Sequence, residues 1–227
     1  MDIVEALSSD GPASARAISR ATGIPESSLS YLLATLLERE WISLAPDRTY
    51  SVGPALARLG AGVRPPLEMR RRSALKLVMN LTGETTSLFV RRLNEIEVID
   101  AQVSSHALRF TPQKGMRVPL HSFAAGKALL AALPPDLLDR YFAENERERM
   151  TANTLVGEAE LRKDLDDTRL RGYALANEEH ILGVVGISVA LDMDSAMSVA
   201  IPTPRFSADL EKHVTEVLRH VAKTLVA

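Results

Sequence analysis

Cysteine is absent from this chain of 227 residues, which excludes disulfide bonds, thiolate catalysis and cysteine-ligated zinc. Long apolar runs are missing too, since no stretch approaches the length of about 18 residues that a membrane-spanning helix needs. The chain also shows no basic start followed by an apolar stretch, as a signal peptide would. We therefore expect a soluble protein of the reducing cytoplasm, with no membrane among its partners.

The residue patterns of familiar catalytic sites are missing as well. The five histidines form neither an HxH nor an HExxH arrangement, which predicts no metal site. The sequence contains no GxSxG elbow, no GxxxxGK[ST] phosphate loop and no GxGxxG fingerprint. These absences argue against an enzyme and predict no cofactor. The formal net charge of −2 neither favours nor excludes nucleic acid as a partner.

The residues that are present describe a globular protein with two domains. Hydrophobic residues make up 46% of the chain and charged residues 25%, which is ordinary for a globular protein. The Gly- and Pro-rich segment from Gly60 to Pro66 marks a boundary. We predict a first domain at residues 1–62, a linker and dimerisation helix at residues 63–82, and a second domain at residues 83–227. Arg70-Arg71-Arg72 in the linker suits either a solvated face or phosphate contacts.

Helical spacing dominates the first domain. A short helix is predicted around residues 2–7, and Asp10-Gly11-Pro12 closes it. Ser14 is expected to cap a second helix that stops at Gly23, and Pro25 to begin a third. In that third helix five leucines recur at helical spacing and predict one buried stripe: Leu29, Leu32, Leu33, Leu36 and Leu37.

A β-hairpin is predicted directly after the third helix. Trp41 to Leu44 and Tyr50 to Val52 alternate at period two around a charged tip at residues 45–48. Two helices joined by a turn of about four residues, with a hairpin behind them, are typical of a winged helix-turn-helix. The serines on the third helix are then candidates for contact with DNA bases, although serines also suit a solvated helix start.

Strands and helices alternate in the second domain. Strands are predicted at residues 85–91, 95–103, 107–110, 117–120, 173–176, 184–192 and 196–201. Helices are predicted at residues 122–133, 135–143 and 158–171, and Ser207 is expected to cap a final helix. That helix has an apolar stripe at Leu210, Val214, Val217, Val221 and Leu225. The pattern predicts an α+β domain in which helices cover a mostly antiparallel sheet.

One junction in the second domain is suited to an anion. The segment from Gly115 to Leu133 runs from a strand through His121 directly into an apolar helix. The first four N–H groups of a helix have no intrahelical partner and lie at the positive end of its dipole. A carboxylate or phosphate is therefore favoured at this helix start.

Three segments make the chain resemble the IclR family of bacterial transcriptional regulators along nearly its whole length. They are IPESSLSYLLATLLEREWI in the first domain, and PLHSFAAGKALLAAL and RGYALANEEHILGV in the second. The resemblance implies a winged helix-turn-helix, a linker helix and a GAF-like effector-binding domain that takes a small organic molecule. It also implies a homodimer or a dimer of dimers, a homotetramer, acting on a double-stranded DNA operator.

The resemblance places the DNA contacts, by position, on the second and third helices and on the hairpin: Arg16, Arg20, Ser27, Ser28, Ser30, Tyr31, Thr35 and Arg48. The chain departs from the family at Glu26 and Tyr31, where basic residues are common. Residues 1–62 hold five arginines, no lysine and seven acidic residues, so the positive field that drives non-specific DNA binding is lacking.

The effector pocket is placed, in the same way, between the sheet and the junction at His121. Its expected residues are Phe110, Val118, His121, Phe123, Ala124, Ala125, Ala176, Gly186, Ser198 and Ala200. The amides of Ala124 and Ala125 are expected to hold a ligand carboxylate. His121 is expected to cap its helix or to fix the loop, or alternatively to touch the ligand. The segment 177–180 is expected to cover one side, as loop anchors or as ligand contacts.

Three small residues set the expected class of ligand. Where relatives that bind very small oxoacids carry Asp, Cys and Ser, this chain has Ala176, Gly186 and Ala200. The loss of three polar groups predicts a larger and more apolar pocket, for an aromatic or medium-chain carboxylic acid. We expect that ligand to shift a dimer between arrangements and so to control catabolic genes. Two alternatives remain: a sensor with weakened DNA binding that acts through protein partners, and an enzyme acting on a small acid.

Overall fold

A computed structural model describes residues 2–61 and 66–226 of the chain. The contacts divide the chain into two compact units, Met1–Pro65 and Pro66–Ala227, which we call the N-terminal unit and the C-terminal unit. The second of these units includes the helix that the sequence predicts as a linker. Residues 62–65, which include the first three residues of that predicted linker and the predicted domain boundary, lie outside the described residues.

The N-terminal unit is a small helical domain with a three-stranded antiparallel sheet. Its elements are α1 (Asp2–Asp10), β1 (Ala13–Ser14), α2 (Ala15–Thr22), α3 (Glu26–Glu38), β2 (Ile42–Leu44), β3 (Thr49–Val52) and α4 (Pro54–Ala61). The strand order is β1-β3-β2. The predicted helices and hairpin are present, and α1 runs three residues further than predicted. Neither β1 nor α4 was predicted from the sequence. With two residues, β1 is too short to show an alternation of apolar and polar side chains.

Local signals explain where the helices of the N-terminal unit begin and end. Ser14 Oγ accepts a hydrogen bond from the Ala17 amide at 3.4 Å, and Gly23 ends α2 in the left-handed region with φ of 70°. The leucine stripe of α3 is narrower than predicted. Leu29 and Leu33 are fully buried, but Leu32 is 38% exposed because its neighbours leave part of that face uncovered.

The C-terminal unit is built on a six-stranded sheet with helices on both faces. Its elements are α5 (Leu67–Thr82), β4 (Thr85–Arg92), β5 (Glu95–Gln102), β6 (Arg117–Pro119), α6 (Ala124–Ala132), α7 (Pro135–Glu144), α8 (Glu158–Arg171), β7 (Ala174–Asn177), β8 (Val184–Ala190), β9 (Ser195–Pro202), a 3₁₀ turn (Thr203–Arg205) and α9 (Ala208–Val226). The strand order is β6-β5-β4-β9-β8-β7, and every neighbouring pair is antiparallel. The predicted α+β architecture is confirmed.

Two apolar cores lie on opposite faces of this sheet. Ala196 and Met197 are adjacent in β9 and belong to different cores, as side-chain alternation along a strand requires. One core packs α6, α7 and α8 against the sheet, and the other packs α5 and α9. Ser207 Oγ accepts from the Leu210 amide at 3.2 Å and so caps α9, as predicted.

The strand predicted at residues 107–110 is wrong. These residues belong to an irregular connection between β5 and β6, and Leu108 in it is 58% exposed. The alternation of apolar and polar residues there resembles a strand, but the connection is held by a side chain instead of a strand partner. Thr85 Oγ1 donates a hydrogen bond to the Phe110 carbonyl at 2.8 Å.

Two of the three consecutive arginines of α5 bind groups of their own unit. Arg70 donates hydrogen bonds to the carbonyls of Thr224 and Leu225 near the end of α9, at 3.1 and 2.8 Å. Arg71 pairs with Asp192 at 3.2 Å. These two side chains are therefore half-buried against their own unit and not fully solvated, whereas Arg72 is exposed. Contact of these arginines with phosphate stays a prediction.

Candidate functional site

A partly open cavity lies in the C-terminal unit, between the start of α6, the strands β7, β8 and β9, and the loop that joins β7 to β8. Its empty space, together with the adjoining solvent, is about 330 Å³. We call residues 178–183 of that connection the cavity loop. The described wall residues are Phe110, Ser122, Phe123, Ala124, Ala176, Glu179, His180, Ile181, Val184, Gly186, Ser198 and Ala200. This lining is mostly apolar and includes neither lysine nor arginine, as is common in pockets that hold small organic molecules.

The start of α6 forms one end of the cavity. Phe123 occupies the N-cap position and makes no side-chain cap hydrogen bond, so the first amides of this helix have no protein side chain to satisfy them. Gly186 lets β8 approach this end closely, because a Cβ there would lie 3.1 Å from the Ala124 side chain. Because Ala124 and Gly186 are small, the first amides of α6 lie beside the open space of the cavity.

Most polar side chains in the wall are already held by the protein. Ser122 Oγ lies 3.0 Å from His180 Nδ1, and Ser198 Oγ donates to the Ile187 carbonyl at 3.2 Å. Burial lowers the pKa of His180, and the nearby His121 lowers it further, so the neutral imidazole is favoured. The cavity thus offers few uncommitted polar groups.

A buried lysine anchors the cavity loop to the helices beneath it. Lys127 in the first turn of α6 is fully buried, and its Nζ donates to the Leu175 carbonyl at 2.6 Å and to Glu179 Oε1 at 2.7 Å. Asp164 Oδ2 of α8 lies 2.9 Å from the same Nζ as an ion pair. Burial raises the pKa of Glu179, against the lowering effect of Lys127.

A second set of hydrogen bonds fixes the main chain of the cavity loop. Thr151 Oγ1 donates to the Glu178 carbonyl and Thr154 Oγ1 to the Glu179 carbonyl, both at 2.6 Å. Glu178 Oε1 in turn accepts from the Gly183 amide at 2.6 Å and closes the loop on itself. Residues 145–157, which we call the tether segment, therefore hold the loop against the unit.

The structure places seven of the ten expected effector residues in the cavity wall: Phe110, Phe123, Ala124, Ala176, Gly186, Ser198 and Ala200. Val118 and Ala125 point away from it, because both are buried in the core beneath α6, α7 and α8. His121 is also outside the wall and only 2% exposed, and its Nε2 lies 2.8 Å from the Glu148 carbonyl. It fixes the tether segment, one of its two expected roles, and burial lowers its pKa.

Five wall residues were not among the expected effector residues: Ser122, Glu179, His180, Ile181 and Val184. One of them follows from a sequence signal, since Val184 and Gly186 are two residues apart in a strand and share a face. Glu179 and His180 lie in the segment that was expected to cover the pocket. The pairing of Ser122 with His180 joins residues 58 positions apart, and no local pattern indicates it.

The expected DNA contacts lie on the surface of the N-terminal unit. Ser27, Ser28, Ser30 and Tyr31 are exposed on α3, with Tyr31 76% exposed, and Arg16, Arg20 and Arg48 are exposed on α2 and the hairpin. Thr35 is half-buried, and its hydroxyl donates to the Tyr31 carbonyl at 3.0 Å. Arg48 sits at the hairpin tip with φ of 62°, next to Asp47, whose side chain binds Thr49. The geometry of a reading helix with a wing is thus present.

Two kinds of feature are missing from the part of the chain that the structure describes. Residues 2–61 and 66–226 include no group of three or more acidic or histidine side chains arranged for a metal ion. Within the same ranges no helix combines the length and apolarity needed to cross a membrane.

Family models match both units. The model of the bacterial transcriptional regulator IclR C-terminal domain matches residues 64–227, and the IclR helix-turn-helix domain model matches residues 1–45. This chain belongs to the IclR family.

Curated IclR-family relatives are transcriptional regulators. The chain is 29% identical to the probable transcriptional regulator SauR of Cupriavidus necator, over 99% of this chain and 92% of that protein. It is 31% identical to the transcriptional repressor AllR of Klebsiella pneumoniae, over 66% of this chain. That match spans 57% of the length of AllR. The relatives are regulators, not enzymes, and they do not favour a sensor that acts through protein partners alone.

A solved structure similar to the C-terminal unit contains a bound aromatic acid. It is a double mutant of the inducer-binding domain of the PobR transcription factor from Acinetobacter, in complex with 3-hydroxybenzoic acid. The likeness has a TM-score of 0.64 and 26% identity, and covers 73% of this chain and 99% of that one.

Family membership and the match to the helix-turn-helix domain model identify the chain as a DNA-binding regulator.

Proposed function

We propose that this protein is a ligand-responsive regulator whose effector is a small carboxylic acid, aromatic or of medium chain length, and which controls genes for the breakdown of such acids. The observation that carries the proposal is the cavity of the C-terminal unit, where an uncapped helix start meets a mostly apolar wall. The helix start suits the acid group, and the wall suits an apolar body.

The acid group is assigned to the start of α6. Amides in the first turn of a helix point at an anion and share the positive end of the dipole. The amide of Ala124 belongs to a wall residue, so we place the carboxylate there. Ala125 has its side chain in the core, and its contribution is the main-chain amide that was expected from the sequence.

The body of the ligand is assigned to the aromatic and small residues of the wall. The ring centroids of Phe110 and Phe123 are 6.3 Å apart, and those of Phe123 and His180 are 5.4 Å apart with their edges to faces. The small side chains of Ala124, Ala176 and Ala200, together with Gly186, leave room in this wall for a single ring or a short chain. The hydroxybenzoate bound by the related PobR domain is an acid of this kind.

The response to the ligand is assigned to linkage in a homodimer or a dimer of dimers. A ligand that binds one arrangement of the dimer better shifts the population toward it, and a differential affinity of about 1–3 kcal/mol gives about a 5- to 150-fold response. Contact with the operator, in the cytoplasm where the DNA lies, is assigned to the second and third helices and the wing: Arg16, Arg20, Ser27, Ser28, Ser30, Tyr31, Thr35 and Arg48.

Thermal unfolding of the full-length protein with a panel of aromatic and aliphatic acids tests this function. Free ligand at 100 times its dissociation constant adds about 2.7 kcal/mol to stability. We expect benzoate-like or medium-chain acids to raise the melting temperature, and the matching primary amides, which lack the negative charge, to have little effect. A panel in which no acid stabilises the protein or changes its DNA affinity would overturn the proposal.

A glycine substitution tests whether the acid binds in this cavity. Gly186→Ala adds a methyl group 3.1 Å from Ala124 and narrows the acid end, so we expect weaker binding. Gly157→Ala is the matched control, because its Cβ would meet only the flexible Glu160 side chain, also at 3.1 Å. Equal acid affinities in the two variants would contradict the assignment to this cavity.

A further inference from the structure

One side-chain oxygen in the cavity wall has no partner. Glu179 is only 7% exposed, and its Oε1 accepts from Lys127. The main chain of Asn177 is near enough to lower the pKa of this carboxyl, but Oε2 is buried and makes no hydrogen bond of ordinary geometry within the described residues. The hydroxyls of Ser122 and Ser198, in the same wall, are both engaged. Buried polar atoms are nearly always hydrogen-bonded, so this oxygen calls for a specific explanation.

The protein holds Glu179 so that Oε2 stays unpartnered. The carbonyl of Glu179 is bound by Thr154, and its Oε1 is bound by Lys127, whose own position is fixed by the Leu175 carbonyl. Rotation of the carboxylate toward another partner would break the bond to Lys127. The main chain and one oxygen are therefore fixed, and the second oxygen is kept in place by the protein but left unused.

The charges around Glu179 do not replace the missing partner. Lys127 is shared between Glu179 and Asp164, and the second cation of the cluster, Arg171, lies 3.5 Å from Asp164 Oδ1. Glu179 thus shares its one ammonium with Asp164, while Arg171 reaches only Asp164. An acceptor oxygen left in this state carries a desolvation cost until a donor reaches it.

We propose that Glu179 Oε2 accepts a hydrogen bond from a hydroxyl group of the effector, so that the effector is a hydroxylated carboxylic acid. This inference rests on the proposed function and deepens it. Lys127 lies three residues after Ala124 in α6, so Glu179 is attached one helical turn from the assigned acid end. The carboxylate of the ligand lies at the free amides, and its hydroxyl lies at Glu179, which would repel a second carboxylate.

Matched ligands test the inference on the full-length wild-type protein. The binding of benzoate, of 3- and 4-hydroxybenzoate, and of the methoxy analogue of each hydroxybenzoate is measured by calorimetric titration. The methoxy oxygen accepts but does not donate. We expect at least one hydroxybenzoate to bind about 10- to 100-fold more tightly than benzoate and its methoxy analogue, which corresponds to about 1.4–2.8 kcal/mol. A site built around a ligand hydroxyl discriminates in this way because its polar group is otherwise unpaired.

The variant Glu179→Gln links the preference to this residue. It replaces the carboxylate by an amide of the same shape, and we expect the hydroxybenzoate preference to fall to within about threefold of benzoate. Glu144→Gln on α7, an exposed acid outside the wall, is the control and keeps the preference. If Glu179→Gln does not fold, equal binding of benzoate and the hydroxybenzoates by the wild type still overturns the inference.

Each outcome of these titrations bears on the inference. Equal binding of benzoate and the hydroxybenzoates, or tighter binding of a methoxy analogue, overturns the role of Glu179 and leaves the proposed function standing. A preference that survives in Glu179→Gln overturns it as well. Failure of every acid to bind overturns both proposals, whereas a hydroxyl preference lost only in Glu179→Gln supports both.

Discussion

The two units of this protein place their polar residues in opposite ways. In the N-terminal unit the expected DNA contacts are exposed, and the hydroxyls of Ser30 and Thr35 bind carbonyls four residues earlier in their own helix. In the C-terminal unit the polar groups of the cavity are mostly buried and bind partners far away in the chain, such as Lys127 to Glu179. A substitution at one exposed residue of α3 should therefore leave its neighbours in place. A substitution at one polar residue of the cavity should disturb the other residues that are hydrogen-bonded to it.

The two units also differ in their histidine and tryptophan residues. All five histidines fall in the C-terminal unit, and the chain's one tryptophan, Trp41, falls in the N-terminal unit. Trp41 fluorescence therefore reports unfolding of one unit, while circular dichroism and segment-resolved hydrogen exchange report both.

Removal of the buried cation should give the largest effect. Lys127→Met leaves Glu179 and Asp164 without their shared ammonium, and we expect a loss of about 3–5 kcal/mol in the free energy of unfolding of the C-terminal unit. Arg58→Met is the counterpart in the N-terminal unit, where the exposed pair with Glu40 contributes less than about 1 kcal/mol. Chemical denaturation measures both, and similar losses would contradict the contrast.

Backbone crowding at two glycines should give the next largest effect. A Cβ at Gly126 would lie 2.1 Å from the Leu120 carbonyl oxygen, and one at Gly53 would lie 2.3 Å from the Glu40 carbonyl oxygen. We expect each alanine variant to lose about 1–3 kcal/mol, because main-chain atoms must shift. Gly53→Ala should lower the Trp41 transition, and Gly126→Ala should leave it in place. A common transition in both variants would show that the units unfold together.

Acidification through the range in which histidine titrates should destabilise the C-terminal unit, because all five histidines lie in it. Burial lowers the pKa of His121 and His180 below 6.5, so the unfolded chain binds protons more readily than the native state. Their stabilisation is complete above pH 6.5 and is lost as the pH falls through the lowered values. We expect up to about 1.4 kcal/mol per pH unit for each histidine, seen in hydrogen exchange but not in Trp41 fluorescence.

Matched histidine variants separate this effect from other titrations. His121→Gln with His180→Gln should flatten the pH dependence, whereas His220→Gln, an exposed residue of α9, should leave it unchanged. Glu179 acts in the opposite direction, since its raised pKa favours the protonated native state as the pH falls toward 4.5. Because Glu179 is present in each of these proteins, comparison with wild type at each pH removes its contribution.

A substitution on the reading face should have the smallest effect on stability. Tyr31→Arg changes an exposed side chain, so we expect a change within about 0.5 kcal/mol. Binding to a non-specific duplex should tighten, and the slope of log affinity against log salt should steepen by about 0.9 for each added phosphate contact. Ser8→Arg on α1 adds the same charge elsewhere, and an equal gain in slope would argue against Tyr31 facing the DNA.

Strong local signals made much of the fold predictable. The bounds of α8 at Glu158–Arg171 match the prediction, since Gly172 ends this helix in the left-handed region with φ of 75°. The strand predicted at residues 107–110 failed because alternation alone does not supply a strand partner. The two-residue β1 was missed because it exists only through its pairing with β3.

The candidate site was predictable only where a residue's own position decides its role. Ala176, Gly186 and Ala200 were expected by resemblance, and their place on neighbouring strands brings them into one wall. The commitments of Ser122, Glu179 and His180 depend on contacts across more than 50 positions of the chain. Such contacts arise from the packing of the sheet against α6, and no local periodicity encodes them.

The hydroxyls of Thr151 and Thr154 add a question of time to this regulator. They hold the carbonyls of Glu178 and Glu179 and so fix the cavity loop against the tether segment. A molecule leaving the cavity past this loop must wait until these bonds break. We therefore expect the dissociation rate of a bound effector to follow the rate at which the cavity loop separates from the tether segment. The regulator would then stay in its ligand-bound state for some time after the free effector has gone.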